Sequence, residues 1–552
     1  MMSNYFFPDP SYPGAIEWDG TPIGRSNVIT RTRSRTTRAN KVVDEMPGLL
    51  DRLLSSAKRF INQNRAEIYQ SDVIIHGIRV RATTNSPHLI KFWRMNWFSP
   101  DEWKGLTSKP PEEEPRVIVY ALTGVADEEE AAYYSRSTDT IIFFNTSYYG
   151  QLKSWVLGAV GRILSRDFGI HSIHGACVTK DNLGVLYIAP TGTGKSTSSY
   201  GLMQFDGTRF HSDDWVYVRY AYSTKEGKKV SPLSIEDRNG SIIRGYEVYR
   251  RLEREGINED LKVTARTLDD NIMILKAKDL DIKRGTEAYA YTSEKLFYLR
   301  SSLVESFPES IPAILESDIE NAPDIKDEFI RESKDVINSS IATLDKSGYK
   351  WPGGADLDEK VRTMGRMFAF DNSRGMLDIA SMFGRERIFT NPLEPARLTS
   401  VVLLRRDMND LRVAEYLPLN RFMGRLLIGE TPMKTREIAY NAYRAVDDKK
   451  EKDWINFLEK ETKAKGPEDI YDLYTEKKDI PETLREEFEL FRVMNRSALC
   501  FDINTVLQND PKVRTKREAV QSSLKVILET IINQPRDLRL DIANYREYIK
   551  DP

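Results

Sequence analysis

The sequence predicts an α/β protein in which a phosphate-binding loop joins a strand to a helix, between an N-terminal α/β unit and a C-terminal helical region. Three observations lead to this prediction. Short strand-like runs alternate with helical or loop material between residues 73 and 165, as expected for packed strands and helices. The segment GVLYIAPTGTGKST, at 184–197, combines an apolar run with glycines and a Lys-Ser-Thr sequence. Helical patterns dominate beyond about residue 430.

The composition is typical of a large globular protein with a charged surface. A chain of 552 residues is too long for one ordinary core, and roughly 150 residues per domain suggests two to four packed units. Hydrophobic residues make up 40% and charged residues 30%. Basic and acidic side chains nearly cancel, at 81 against 83, so the net charge does not favour nucleic acid or a membrane surface as a partner.

The cysteines and the apolar runs indicate the compartment. Cys177 and Cys500 are the two cysteines of the chain, which excludes a disulfide framework or a zinc cluster and fits a reducing environment. The N-terminus lacks a basic segment followed by an apolar run, and no stretch approaches 18 uninterrupted apolar residues. We therefore expect a cytoplasmic protein without a membrane partner.

The patterns divide the chain into four predicted segments. They are a basic and helical N-terminal arm at 1–70, an N-terminal α/β unit at 71–165, a nucleotide-binding catalytic domain at 166–430 and a mainly helical region at 431–552.

Several finer patterns fall within these segments. The basic run from Arg25 to Lys41 could hold a phosphate-rich ligand, but a solvated arm is the favoured interpretation. Residues 245–380 are charged and are predicted to be mostly helical. The runs SVVLLRR at 400–406 and ALCFDINT at 498–505 predict two more strands.

The phosphate loop follows a predicted strand from Gly184 to Ile188 and opens a predicted helix at Lys195. Glycines allow successive N–H groups to point inward, and the helix N-terminus adds partial positive charge, so the loop suits a triphosphate. Lys195 is expected to reach the β and γ oxygens, and Ser196 to ligate magnesium. The predicted nucleotide-binding residues are Ala189, Pro190, Thr191, Gly192, Thr193, Gly194, Lys195, Ser196 and Thr197.

The loop departs in one place from the Walker A pattern, which opens with glycine. Ala189 occupies that position and is followed by Pro190, and alanine is a mild change. The alternative to nucleotide binding is a glycine-rich turn that caps a helix and binds nothing.

Two adjacent carboxylates, Asp213 and Asp214, lie between two extended segments downstream of the loop. Paired carboxylates at a strand end suit magnesium coordination and removal of a proton from an attacking hydroxyl. An Asp-Asp dipeptide is more often a solvated turn, but its closeness to the phosphate loop favours the functional interpretation.

Three of the five histidines of the chain lie near the loop. His174 is predicted on a strand that precedes the loop strand by a short hairpin around Lys180 and Asp181, where it could bind a metal or contact the γ-phosphate. A packed, structural role for His174 stays open. His171 and His211 are interpreted as structural histidines.

The order of HGACV, GVLYIAPTGTGKST and SDDWV resembles the catalytic core of HPr kinase/phosphorylase, and the loop is similar to that of ATP-dependent phosphoenolpyruvate carboxykinase. The likeness covers about 45 residues, from His174 onward. It implies a P-loop kinase core built on a mixed, twisted sheet, with Asp213 as the base and Ser196 and Asp214 as metal ligands. The corresponding histidine of the carboxykinases contacts a transition metal, which implies a metal role for His174.

The arginine that would neutralise charge on the transferred phosphoryl group is predicted from two segments. SEKLFYLR ends at Arg300, and GRERIF contains Arg385 and Arg387. An ordinary surface position is the alternative for each.

The leading functional hypothesis is a kinase that uses ATP and magnesium, or manganese, to phosphorylate a hydroxyl of a small metabolite or of a protein serine. One alternative is carboxykinase-type chemistry on a keto acid, although the substrate arginines of that family are not recognisable in the N-terminal half. The other is a nucleotide-sensing regulatory or scaffold protein whose C-terminal helices bind a partner. The sequence leaves the acceptor and the oligomeric state open.

Overall fold

The computed structural model describes residues 28–549 with internal exceptions. The exceptions are 33–38, 45, 147, 190–192, 254–259, 296, 300–318, 321–326, 347, 352–353, 370–373, 378–382, 408, 428–448, 466–469, 472–473, 475–478, 506, 508–509 and 515.

The described strands number from the N-terminus as follows: β1 Val28–Thr32, β2 Ala39–Val42, β3 Tyr69–Ile75, β4 Ile78–Thr84, β5 Val117–Leu122, β6 Ala131–Ser135, β7 Thr140–Phe144, β8 Ile170–His174, β9 Ala176–Lys180, β10 Leu183–Ile188, β11 Thr208–Ser212, β12 Trp215–Ser223, β13 Lys229–Glu236, β14 Ile242–Arg244, β15 Lys262–Thr267, β16 Ile272–Lys276, β17 Thr286–Thr292, β18 Phe297–Leu299, β19 Ile319–Glu320, β20 Arg374–Leu377, β21 Ala396–Arg405, β22 Arg412–Tyr416, β23 Leu499–Asn504 and β24 Arg539–Asp541.

The described α-helices number in the same way: α1 Leu49–Gln63, α2 Pro87–Asn96, α3 Pro100–Thr107, α4 Tyr149–Phe168, α5 Lys195–Leu202, α6 Tyr246–Leu252, α7 Asp327–Glu332, α8 Lys334–Lys346, α9 Leu357–Ala369, α10 Leu419–Leu427, α11 Lys449–Lys465, α12 Glu482–Ser497, α13 Lys516–Asn533 and α14 Tyr545–Tyr548. None of these helices combines the length and apolar character needed to cross a bilayer.

A mixed sheet of 14 strands forms the centre of the molecule. The loop strand β10 runs antiparallel to β9 and parallel to β21, and β21 in turn runs parallel to β23. The strands predicted from SVVLLRR and ALCFDINT are therefore confirmed, and both end at the same edge of the sheet as β10. The mixed α/β class predicted from the sequence is also confirmed.

A second sheet has six strands in the order β2-β6-β7-β5-β4-β3. Strands β4, β5 and β7 run parallel to one another, and the strands predicted between residues 73 and 147 are present in it. Two elements of the segment predicted as an N-terminal arm, residues 1–70, also pack with this second sheet. β2 pairs with β6, and α1 buries Leu53 and Ala57 in the same apolar cluster as strands β5 to β7.

Helix α4 lies between the two sheets, and its prediction from helical spacing is confirmed. Its buried residues include Trp155 and Val156, which share one core cluster with Val119 of β5 and with Tyr217 of β12. Because α4 is covered on both sides, a polar residue on it is enclosed rather than solvated.

The helical prediction for residues 245–380 holds for α6 at the start of the segment but is wrong for residues 262–292. Residues 262–292 form β15, β16 and β17 of the central sheet, while α7, α8 and α9 follow at 327–369. In β16 the exposed Ile272, Ile274 and Lys276 alternate with half-buried residues. The sequence IMILK of this strand has no alternation of polar and apolar residues, and pairing with β15 decides its conformation.

The C-terminal segment is mainly helical, as predicted, but it also supplies a strand of the central sheet. α12 covers the helical pattern at 485–495, and β23 follows it directly. Part of the pattern predicted at 434–463 lies outside the described residues. A further, four-stranded sheet has the order β18-β20-β1-β19.

Candidate functional site

The predicted phosphate loop joins the carboxyl end of β10 to the first residue of α5, Lys195. Gly194 precedes the helix with a φ of +100°, a conformation that glycine adopts without steric cost. Ala189 is buried. Pro190, Thr191 and Gly192 lie outside the described residues, as do the side chains of Ser196 and Thr197.

The C-terminal strand β23 holds the end of this loop. The hydroxyl of Thr505, directly after β23, donates to the Thr193 carbonyl oxygen at 2.9 Å and also lies 3.1 Å from that of Arg405. The backbone N–H of Thr505 also donates to the Arg405 oxygen at 2.9 Å. Three parallel strands, β10, β21 and β23, thus bring their carboxyl ends together at the loop.

Lys195 points its ammonium group toward the other predicted polar residues. Its Nζ lies 3.0 Å from Nε2 of His174 and 3.9 Å from Oδ1 of Asp214. The structure therefore brings together three of the predicted site residues, which lie on α5, on β8 and in the turn before β12.

Asp213 and Asp214 form the turn between β11 and β12. The Asp214 N–H donates to Oδ1 of Asp213 at 2.8 Å, and the Trp215 N–H donates to the Asp213 carbonyl at the same distance. Asp214 adopts a φ of +66°, which is uncommon for a residue with a side chain. Such strained residues cluster at functional sites.

His174 reaches this turn through strand pairing. β8 runs antiparallel to β12 with His174 opposite Trp215, and Nε2 of His174 lies 3.2 Å from Oδ1 of Asp214. The predicted arrangement was different, since the hairpin that turns at Asp181 joins β9 to β10, and His174 ends a separate strand.

Gly175 makes the change of strand after His174 sterically feasible. Its N–H donates to the Asp214 carbonyl at 3.0 Å. A Cβ atom at residue 175 would lie only 2.7 Å from the Tyr187 carbonyl oxygen, so a side chain at this position would clash with the backbone of β10.

The carboxylate of Asp213 is buried and accepts hydrogen bonds on both oxygens. Oδ2 accepts from the hydroxyl of Tyr200, on α5, at 3.2 Å, while Oδ1 accepts from the Asp214 N–H. Burial raises the pKa of Asp213 above its ordinary value, and the charge of Asp214 adds to this rise against the opposing effect of Lys195.

The pKa of Asp214 shifts in the opposite direction from that of its neighbour Asp213. Burial alone would raise its pKa, but the ammonium of Lys153, the hydrogen bond with His174 and the charge of Lys195 together hold the pKa well below the ordinary value. Lys153 Nζ lies 2.8 Å from Oδ2. The pair therefore contains one firmly ionised carboxylate and one that accepts a proton more readily.

Sequence reasoning missed four residues around the site: Lys153, Tyr200, Glu294 and Thr505. A signal existed for Lys153, because it is the first charged residue in the helical run YYGQLKSWVLGAVG, where apolar residues prevail. The other three are ordinary residue types whose contacts depend on long-range packing.

The predicted arginines do not meet the carboxylates in the described part of the chain. Arg387 donates to the carbonyls of Met203 and Phe205 and to Thr208, so it holds the turn that follows α5. Arg385 is exposed and lies near the amino end of β11, because Ile388 pairs in parallel with Phe210. Arg300 lies outside the described residues.

The remaining histidines of this block are buried, which fits their structural interpretation. His171 lies with Nδ1 3.1 Å from the Ser165 hydroxyl, and His211 lies with Nδ1 3.0 Å from the Ser212 hydroxyl. Neither contact involves a predicted site residue.

No cluster of three or more histidine, cysteine, aspartate or glutamate side chains is arranged to hold a metal within the described residues. Comparison of the chain with known protein families and with curated proteins gives no match. The chemistry of the site is therefore the basis for inferring a function.

Proposed function

We propose that this chain binds ATP at residues 189–197 and, with magnesium, transfers the γ-phosphoryl group to a hydroxyl of a small metabolite or of a protein serine. The observation that carries the proposal is the position of Lys195. Lys195 is the first residue of the helix that follows the glycine-rich loop, and its ammonium group lies 3.9 Å from Asp214. The neighbouring Asp213 is a buried carboxylate with a raised pKa.

The loop supplies two kinds of positive potential for a triphosphate. The first N–H groups of α5 have no partners within the helix and give its N-terminus a partial positive charge at the loop, and Lys195 adds a full charge. The side chain of Lys195 is 12% exposed, so a phosphate that replaces its contacts with His174 and Asp214 would interact through a medium of low dielectric constant.

The residues present fit a divalent cation in part. Asp214 is ionised and its side chain is 28% exposed, as a magnesium ligand requires, whereas both oxygens of Asp213 already accept hydrogen bonds. Ser196 directly follows Lys195 in sequence and is the second proposed ligand. Bound magnesium would neutralise negative charge on the phosphates.

Asp213 is the proposed general base. A base must lie within hydrogen-bond reach of the attacking hydroxyl and must accept a proton near the working pH. Burial raises the pKa of Asp213, and the hydrogen bond from Tyr200 fixes the direction of the carboxylate. Catalysis would then rest on positioning and charge neutralisation, with little covalent chemistry for the protein to perform.

The proposal includes kinship with the HPr kinase and phosphoenolpyruvate carboxykinase core. It is supported by the order His174-Gly175, loop and Asp-Asp pair, and by the antiparallel strand β9 next to the loop strand. A standard nucleotide-binding domain would place parallel strands on both sides.

One observation favours carboxykinase-type chemistry as a second candidate. Nε2 of His174 lies 3.2 Å from Oδ1 of Asp214, which brings together an imidazole nitrogen and a carboxylate oxygen, two kinds of ligand that transition metals accept. Manganese-dependent decarboxylation of oxaloacetate in the presence of nucleotide would support this candidate over a kinase.

Transfer from γ-labelled ATP into a pooled metabolite and protein extract tests the kinase proposal. We expect the wild type to label an acceptor, Lys195→Ala to fail because it lacks the phosphate contact, and Asp213→Asn to lose at least about 100-fold in rate, as expected for loss of a general base. Lys180→Ala, at the distant β9–β10 turn, is the control. Full transfer by Asp213→Asn would reject that residue as the base.

A further inference from the structure

Lys153 is a buried cation that the proposed reaction does not yet use. It lies on α4, and its side chain is 1% exposed. Its Nζ lies 2.8 Å from Oδ2 of Asp214 and 2.9 Å from Oε1 of Glu294. Removing an ammonium group from water costs several kcal/mol, so a lysine this deeply buried requires its carboxylate partners.

The two oxygens of Asp214 face different surroundings. Oδ2 contacts the buried ammonium of Lys153, whereas Oδ1 lies 3.2 Å from His174 and 3.9 Å from Lys195, at the loop. A carboxylate held at one oxygen from the interior presents the other in a fixed direction. Lys153 thus restrains Asp214 through the oxygen that His174 and Lys195 do not contact.

Glu294 holds Lys153 in place from beyond the end of β17. The preceding Ser293 donates to the Trp215 carbonyl at 3.0 Å, which ties this segment to the first residue of β12. Burial raises the pKa of Glu294 to about 8, although Lys153 opposes the rise.

We propose that Lys153 is a positioning residue of the phosphate site, which orients the Asp214 carboxylate toward the metal that accompanies the nucleotide. This inference rests on the proposed function. It also extends the site to α4, outside the segment from His174 to Asp214 that resembles known kinases. The opposing hypothesis is that Lys153 only provides a hydrogen-bonding partner for the buried carboxyl group of Glu294 in the core.

A double substitution that removes Lys153 together with its partner Glu294 separates the two roles. Lys153→Met alone would leave two carboxyl groups in the core without their cation and could unfold the protein, so the test uses Lys153→Met combined with Glu294→Gln. Glu294→Gln alone is the matched control, because it keeps an oxygen that can accept from Lys153. Thermal unfolding verifies that both variants are folded.

Calorimetric titration then measures the affinity for ATP with magnesium and with EDTA in its place. For the wild type and for Glu294→Gln we expect magnesium to tighten ATP binding. For the double variant we expect unchanged affinity in EDTA and loss of about tenfold in magnesium, a difference of about 1.4 kcal/mol. A role confined to the core would not weaken the magnesium-dependent part alone.

The outcomes distinguish failure of this inference from failure of the proposed function. A double variant that retains the full effect of magnesium would overturn the positioning role and leave the proposed function intact. Wild-type protein that binds ATP equally with and without magnesium would also overturn it. Wild-type protein that binds no ATP under either condition would reject the proposed function itself, and the role of Lys153 with it.

Discussion

Single residues determine that the two adjacent carboxylates behave differently. Asp213 and Asp214 are neighbours in sequence, yet burial raises the pKa of the first while Lys153, His174 and Lys195 hold down the pKa of the second. Neighbouring carboxyl groups whose pKa values shift in opposite directions can take separate tasks in one reaction. The division arises from residues on α4, β8 and α5, and nothing within the Asp-Asp dipeptide itself specifies it.

Buried histidine makes the fold sensitive to acid. Burial lowers the pKa of His171 to about 3, against about 6.5 in an unfolded chain. A group with a lowered folded-state pKa contributes its full stability above pH 6.5 and loses it as the pH falls toward 3. The loss is about 1.4 kcal/mol per pH unit within that window.

His171→Gln should reduce this sensitivity. Between pH 7 and pH 5 we expect the free energy of unfolding of the wild type to fall by about 2 kcal/mol more than that of the variant, because the variant lacks one group that takes up a proton on unfolding. Chemical denaturation at the two pH values measures the difference. Equal losses would contradict a neutral, buried His171.

At the level of secondary structure, the loop depends on strands that are far apart in sequence. β10 delivers the loop, β21 flanks it, and β23 places Thr505 against the Thr193 carbonyl. Helix α13 adds a contact from the C-terminal segment, where the side chain of Gln521 donates to that of Gln204 at 3.0 Å. The C-terminal segment is therefore part of the framework of the site.

Thr505→Val tests whether β23 organises the loop. Loss of one hydrogen bond of about 1 kcal/mol should weaken magnesium–ATP binding about fivefold. Thr399→Val is a matched control, since its hydroxyl donates to the Gly184 carbonyl at 3.4 Å near the opposite end of β10, and we expect it to leave binding unchanged. Equal affinities of the two variants would indicate that Thr505 does not organise the loop.

In the molecule as a whole, sequence patterns predicted single strands and helices, whereas the contacts between distant elements depend on long-range packing. The sequence was sufficient for the strand before the loop, for α4 and for the extended segments on either side of Asp213, because each carries its periodicity and turn residues within a short window. It also predicted that His174 and Lys195 lie in one region. The sequence did not predict the contacts between these two side chains, because the register of β8 on β12 determines them.

The parts that the sequence did not predict share a physical cause. β15 to β17 form by pairing with one another and with other strands of the sheet, and a sequence such as IMILK in β16 lacks the alternation of polar and apolar residues that identifies a half-buried strand. Lys153 enters the site because α4 packs between two sheets, an arrangement that depends on the whole chain. Side chains that converge from separate elements leave no spacing to detect.

The central claim is that Lys195 and its loop bind a nucleoside triphosphate, and calorimetric titration with magnesium–ATP tests it most directly. The wild type and Lys180→Ala should bind with equal affinity, while Lys195→Ala should bind at least about tenfold more weakly, because a charged contact to phosphate is worth roughly 1.5–3 kcal/mol. Binding that is absent in the wild type, or undiminished in Lys195→Ala, would contradict the claim.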